Sequence, residues 1–392
     1  MTLFVVTVEF RMSMIKVIKR TRCPICDHND IEHLQSLKGY PVFMGCVDQS
    51  IREDILADMN WLICRSCGVL FLENLIPLEL LYPEQHNASV GSLWTRHHNE
   101  FAKFILGFEA SRILEVGGAH GILESEYRSM HSYRSWTIVE PNPSPKKDCR
   151  ANFIKNFFDE NFKFEEPFDM LVHSHVFEHI YRPDDFMHHL SNFIGEGKYL
   201  LFSIPNLQGM LERKYTNSIN FEHTVYLTEP YVNFLLSKHG FRVESKKYFM
   251  DDHSIFYAAV RDSSVLTAEI PSGLYELNKK TFLDFVVHHE QIIVDLNNKI
   301  ESSEAPVYLF GAHIFAQHLI EMGLNTANIA CLLDNDEKKQ GRRLYGTNLK
   351  VESPQILSNV IRPNIILKAG IYNKEISEDI LANINCESIF WD

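Results

Sequence analysis

The sequence predicts an α/β protein built around a doubly wound, mostly parallel, Rossmann-like sheet. A small metal-binding region precedes the sheet, and a second Rossmann-like unit follows it. Three observations carry this reading. Between Ser111 and Val260, apolar strand-like runs alternate with helical stretches, and such alternation means parallel strands with helices packed on both faces. One run, Arg112-Ile-Leu-Glu-Val-Gly-Gly-Ala-His-Gly121, ends in an acidic residue and then glycines. Two Cys-x-x-Cys pairs lie upstream, and a second strand–glycine–helix pattern opens at Val307.

The bulk properties set the limits. A chain of 392 residues is long enough for two or three cores. With 45% hydrophobic and 23% charged residues it reads as globular. The net charge of −13 argues against a nucleic-acid partner, because phosphate backbones demand Lys and Arg. An anionic small molecule is still admissible in a local basic pocket. No apolar run has the length of a membrane span. Met1 to Phe10 is apolar, but Arg11 follows that run, whereas a secretory signal carries its positive charge first. Met12 and Met14 offer alternative starts, and the fold reading therefore begins at residue 15.

Each element follows from local pattern. Pro83 to Ser92 reads as a loop and Leu93 to Leu106 as a helix. Ile113 to Val116, Thr137 to Glu140, Met170 to His173 and Tyr199 to Ile204 read as strands. Gly121 to Met130, Pro183 to Phe193 and Glu229 to Lys238 read as helices between or after them. Phe241 to Tyr248 and Ile255 to Val260 read as closing antiparallel strands. Leu274 to Ile300 is a long helix suited to linking domains. Val307 to Ala312, Ile314 to Met322, Ile329 to Asp334 and Pro363 to Ala369 repeat the strand–helix alternation. The expected organisation is a zinc-binding region at 15–92, a central domain at 93–270 and a C-terminal Rossmann-like domain at 271–392.

Of eight cysteines, Cys23, Cys26, Cys64 and Cys67 form the two pairs. Two intervening residues let both sulfurs of a pair turn inward onto one edge of a tetrahedral ion. Four thiolates leave no open position, so the expected ion is a structural zinc. Thiolate ligands without an export signal suggest a reducing cytoplasm. Cys46 reads as a core thiol, and His28 and His33 as surface residues.

The central motif has the form acid-x-Gly-x-x-x-Gly, with Glu115, Gly117, Gly118 and Gly121. Val139-Glu140 closes the next strand, where a carboxylate can take ribose hydroxyls. His173-Ser-His-Val-Phe-Glu-His-Ile180 closes the strand after that. In order and spacing these segments resemble class I S-adenosylmethionine (SAM) methyltransferases. The resemblance implies SAM as cofactor, with Glu140 on the ribose and the loop at His175 beneath the methionine part. His179 is open to either a structural or a substrate-facing role. His188 and His189 read as a solvated helix face.

Further along stands Asn220-Phe-Glu222-His223. From Thr21 onward the chain resembles the three-part sugar C-methyltransferases of deoxysugar biosynthesis. The resemblance rests on the cysteine pairs, Glu115 to Gly121, His175 to Ile180, Glu222-His223, Leu235 to Phe241, Val307 to Ala312 and Leu333 to Gly341. It implies a nucleotide-linked keto sugar as substrate. Carbon becomes nucleophilic once a proton is removed beside a ketone, and histidine suits that step. By resemblance His223 is the base, with Glu222 or His179 supporting it or holding the enolate oxygen. The family tyrosine two residues before the glutamate is Asn220 here, which can donate a hydrogen bond but cannot exchange a proton. The alternatives are O-methylation of a sugar or glycan precursor, and a non-catalytic SAM-fold binding protein. The C-terminal unit is expected to hold the nucleotide. Its cluster Lys338, Lys339, Arg342 and Arg343 reads as a solvated turn or, secondarily, a diphosphate contact.

Overall fold

The computed structural model describes residues 17–81 and 92–392. Residues 83–91 of the expected loop and the first fourteen residues lie outside them, and Ser92, expected to end that loop, opens a helix. The N-terminal part is a three-stranded antiparallel sheet of β1 (Ile31–Pro41), β2 (Leu56–Cys64) and β3 (Leu70–Leu72). None of these strands was resolved by the sequence reading. Their inner face carries Tyr40, Met59, Trp61 and Ile63, all fully buried. Trp61 meets Tyr226 and Phe282 with ring centroids 5.6 and 5.8 Å away, so this small sheet is packed onto the rest of the chain.

The central sheet has seven strands. In chain order its elements are α1 (Ser92–Ile105), β4 (Arg112–Val116), α2 (Ile122–Met130), β5 (Ser135–Val139), β6 (Asn152–Ile154), β7 (Met170–Ser174), α3 (Pro183–Phe193), β8 (Tyr199–Pro205), α4 (Glu229–Lys238), β9 (Phe241–Phe249) and β10 (Ser254–Arg261). The spatial order is β9-β10-β8-β7-β4-β5-β6, and β10 alone runs against its neighbours. Strands β4, β5, β7 and β8 are apolar on both faces because helices cover both. The order reverses beside β4, which opens a crevice at the carboxyl ends of β4 and β7. That is where ligands bind in such sheets.

Helix α5 (Leu274–Ser302) buries Phe282, Phe285 and Val286 against the N-terminal core, then Ile293, Leu296 and Ile300 against the C-terminal one. After it come β11 (Val307–Phe310), α6 (Ile314–Glu321), β12 (Ile329–Leu333), β13 (Val351–Glu352), β14 (Asn364–Leu367), α7 (Asn373–Asn383) and β15 (Ile389–Trp391). They form a parallel sheet in the order β13-β12-β11-β14-β15. Residues Arg343–Leu344 pair with Cys46–Val47, which ties the two ends of the chain together.

Two expectations need correction. His188 is exposed, but His189 is half-buried, 4.9 Å from the Phe158 ring centroid. Most of the basic cluster is tied into ion pairs instead of forming a solvated turn. Arg343 grips buried Asp54 through two nitrogens at 2.6 and 2.7 Å, Arg342 pairs with Asp48, and Lys339 with Asp334. These arginines face the N-terminal region and hold the chain ends together. Cys46 is a core thiol as expected, its Sγ 3.4 Å from the Ala312 carbonyl.

Candidate functional site

The glycine-rich loop is shaped by contacts that exclude side chains. Gly117 and Gly121 have φ of +76° and +68°. A Cβ on Gly117 would stand 2.6 Å from Val176 Cγ2, and one on Gly118 would stand 2.7 Å from the Glu115 carboxyl. Below the loop, Glu115 accepts a hydrogen bond from Trp136 Nε1 at 2.7 Å. Burial pushes its carboxyl up to about 8, against that bond. Glu140 Oε1 accepts from Asn142 N at 2.9 Å and Oε2 from Ala119 N at 3.3 Å. Each oxygen keeps a lone pair, so the carboxylate is aimed while it can still accept hydroxyl donors. The His120 ring is turned aside, its Nδ1 donating to the Ser144 carbonyl at 2.8 Å.

The loop after β7 holds a buried carboxylate that the sequence reading did not count as a site residue. Glu178 is 1% exposed. His175 Nδ1 stands 3.2 Å from its Oε1, and His179 Nε2 stands 3.8 Å from the same oxygen. Burial opposes ionisation, but His175, His179 and His223 outweigh it and hold the group at about 2. His175 itself has φ of +53°, a strained backbone for a residue with a Cβ.

Asn220, Glu222 and His223 come together with His179, whose ring centroid is 5.3 Å from that of His223. Glu222 is an electrostatic neighbour of His223 and also stands beside His179. Its Oε2 lies 3.6 Å from His179 Nδ1. Asn220 is the residue bound to His223. Asn220 Oδ1 accepts the backbone N–H groups of Glu222 and His223, each at 2.8 Å. Its amide nitrogen therefore points to His223 Nδ1, at 3.2 Å. An amide N–H can only donate, so Nδ1 accepts and the ring hydrogen sits on Nε2. Burial pushes His223 down to about 4, which keeps it neutral. Asn220 lines the cavity while both ends of its amide bond within its own loop.

The N-terminal region holds this cluster in place. Leu72 N donates to Thr224 O and Tyr226 N to Leu70 O, both at 2.9 Å, so the His223 loop adds to the edge strand β3. Half-buried Arg20 donates to the carbonyls of Leu72 (3.2 Å), Thr224 (2.7 Å) and Tyr181. One guanidinium thus spans the loops of His179 and His223. The four cysteines converge nearby, with Sγ separations of 3.6 Å for Cys23–Cys67 and 3.5 Å for Cys26–Cys64. Tetrahedral thiolates on zinc stand roughly 3.8 Å apart, so the donor set fits that ion. Tyr231 Oη donates to Cys67 O at 3.0 Å, and Asn278 Nδ2 donates to Gly68 O at 2.9 Å. The knuckle is thereby fastened to α4 and α5.

A cavity of about 1390 Å³ runs from Gly117 and Glu140 past His175, His179 and His223 to Gly311, Asp334 and Lys339. Residues 86–246 match a family described as a methyltransferase domain. Over this stretch the chain is similar to a methyltransferase domain. Among solved structures, the chain is similar to an O-methyltransferase family protein from Burkholderia thailandensis, at 12% identity and a TM-score of 0.36. That match covers 44% of this chain and 57% of the Burkholderia protein. It is also similar to the N-methyltransferase NodS of Bradyrhizobium japonicum, at 13% identity and a TM-score of 0.33, covering 43% of this chain and 97% of that one. A SAM-dependent methyltransferase from Thermotoga maritima, a possible histamine N-methyltransferase, gives 16% identity and a TM-score of 0.35, covering 43% and 89%. No curated protein matches the chain. Among the described residues, no helix is long and apolar enough to cross a membrane.

Proposed function

We propose that this methyltransferase methylates a carbon of a nucleotide-linked keto sugar through an enolate. The observation that supports this best is the single cavity shared by the glycine loop, the histidine cluster and the C-terminal turn at Gly311 and Asp334. Its volume admits a substrate of nucleotide-sugar size beside the cofactor. SAM, when bound, supplies an electrophilic methyl, and Glu140 and the Gly117–Gly121 loop hold it. The working parts are a zinc-binding region at 15–92, the methyltransferase domain at 93–270 and a Rossmann-like domain at 271–392 that takes the nucleotide. Cys23, Cys26, Cys64 and Cys67 hold a structural zinc, which fits a reducing cytoplasm.

The geometry divides the histidine roles differently from the family resemblance. His179 lies between two carboxylates, Glu222 and Glu178. Either one stabilises the imidazolium that forms when His179 takes the proton beside the ketone. His223, with Nδ1 occupied by Asn220, offers Nε2–H as a donor to the enolate oxygen. His179 would take the proton from the carbon beside the ketone, and the two histidines would hold that carbon toward the methyl that bound SAM would supply.

The test is proton NMR in deuterated water with SAM and a panel of nucleotide-linked keto sugars. Loss of the proton beside the ketone, with a new methyl on that carbon, is expected. His179→Gln should lower turnover by roughly 10²–10⁴-fold and leave S-adenosylhomocysteine affinity unchanged. A methyl on oxygen with that proton retained overturns the enolate in favour of O-methylation. Full activity in His179→Gln returns the base to His223. Failure to bind S-adenosylhomocysteine supports a non-catalytic binding protein.

A further inference from the structure

A second histidine cluster lies at the edge of the same cavity, and the methyl-transfer chemistry leaves it unexplained. His97 comes from α1, His175 from the loop after β7, and His253 from the turn between β9 and β10. One ligand nitrogen from each lies within 4.8 Å of the other two. His97 is 0% exposed, and among the described residues neither of its ring nitrogens has a hydrogen-bond partner. A buried imidazole has one donor and one acceptor to satisfy, and leaving a polar group unmade costs roughly 1–3 kcal/mol. Among the described residues the electrostatic neighbours of His97 are His175, His98 and His253. Burial pushes His97 well below its usual range, so its ring is a neutral lone-pair donor.

We propose that His97, His175 and His253 bind one divalent transition-metal ion of the zinc type, with an open position toward the cofactor cavity. Three imidazoles and one open position make the donor set of a reactive zinc site, unlike the closed set of four thiolates. Ring centroids stand 5.2 Å apart for His97–His175 and His97–His253, and 6.0 Å for His175–His253. Imidazoles on a tetrahedral ion at metal–nitrogen distances near 2 Å have centroids roughly 5 Å apart. The nitrogens already converge. Ser254 Oγ lies 2.8 Å from His175 Nε2 and 2.6 Å from His253 Nδ1.

The surroundings match those of metal-bound histidines. His175 Nδ1 points to the Glu178 carboxylate at 3.2 Å, and a ligating histidine typically gives its second N–H to a carboxylate. Glu178 also neighbours His179 and His223. An ion here would be two side chains from the proposed proton-transfer pair. His175 and His253 line the cavity, and His97 lies behind them. Water or a carboxylate from the cavity would complete the coordination.

Metal content of the full chain, loaded with excess Zn²⁺ and dialysed, tests this without any substrate. His97→Leu is the main variant because His97 lies behind the cavity wall. The expected result is one zinc fewer per chain than wild type, whatever the cysteines hold. Loading with Co²⁺ should give a visible d–d band that His97→Leu loses, while any thiolate-to-cobalt band in the near ultraviolet stays. Equal metal content and unchanged cobalt spectra in a folded variant overturn the proposal. Weaker S-adenosylhomocysteine binding with no change in metal content also overturns it, and makes the cluster a subsite for the cofactor's carboxylate. If His97→Leu fails to fold, zinc K-edge absorption of the wild-type protein decides. A shell of nitrogen ligands beside any sulfur shell supports the site, and a sulfur-only shell rejects it.

Discussion

The cofactor loop and the histidine cluster face one cavity but are built in opposite ways. The loop takes Glu115, Gly117, Gly118, Gly121 and Glu140 from two adjacent parallel strands, β4 and β5, and the turns that end them. Its shape comes from local backbone and from close approach to Val176 and Ile138. The cluster takes His179 from one loop and Asn220, Glu222 and His223 from another. It is held from outside by Arg20 and the edge of β3. A site made of neighbours is robust to distant change, and a site made of visitors depends on what holds them. Damage to the N-terminal region should therefore impair turnover while sparing cofactor binding.

The strongest way to break the comparison is Gly118→Val. A Cβ there meets Glu115 and Ile138 at under 3 Å, so S-adenosylhomocysteine affinity should fall by at least ~100-fold, the cost of overpacking a tight site. Calorimetric titration reads this, and near-normal affinity would deny the loop its role. Arg20→Met should do the reverse. It frees the Tyr181 and Thr224 loops, and turnover should drop roughly 10–100-fold through misplacement of the histidines, with cofactor affinity kept. Equal loss of both would show that the two sites are one cooperative unit. Glu140→Ala should weaken cofactor binding by about tenfold or somewhat more, since charge-assisted hydrogen bonds contribute ~1.5–3 kcal/mol.

The smallest effect concerns a histidine outside both sites. His318 on α6 is 1% exposed with neither ring nitrogen bonded, and burial holds it well below its usual 6.5. Above pH 6.5 both folded and unfolded forms are neutral there. As pH falls below 6.5 the unfolded chain takes up a proton that the folded chain refuses, so stability is lost toward acid. His318→Leu removes that loss. Its unfolding free energy relative to wild type, read by denaturant titration, should rise between pH 7.5 and pH 5.5, by up to ~1.4 kcal/mol per pH unit below 6.5. A constant difference would mean that His318 takes up its proton alike in the folded and unfolded chain.

Much of the fold was legible because its signals are local. Helices α3 and α4 begin and end where Pro183, Phe193, Glu229 and Lys238 suggested, since proline and first-turn acids mark helix starts. The strands of the N-terminal sheet were missed because Ile31–Pro41 lacks clean alternation and bulges between His33 and Gln35 and between Leu37 and Tyr40. Glu178 was read only as part of a motif, because sequence does not show which of two adjacent residues points inward. His97 and His253 carry no signal alone, since 156 residues separate them.

By itself the sequence determined the doubly wound sheet, the glycine loop with its carboxylates and the grouping of cysteines in pairs. Each is a matter of period, turn chemistry or spacing within a few residues. Only the tertiary structure decided that Glu222 stands beside His179, that Asn220 fixes the hydrogen of His223 on Nε2, and that Arg20 clamps both loops. The physical reason is range. Backbone preference acts between neighbours, whereas the direction of a hydrogen bond and the burial of a charge depend on residues that the fold alone brings together.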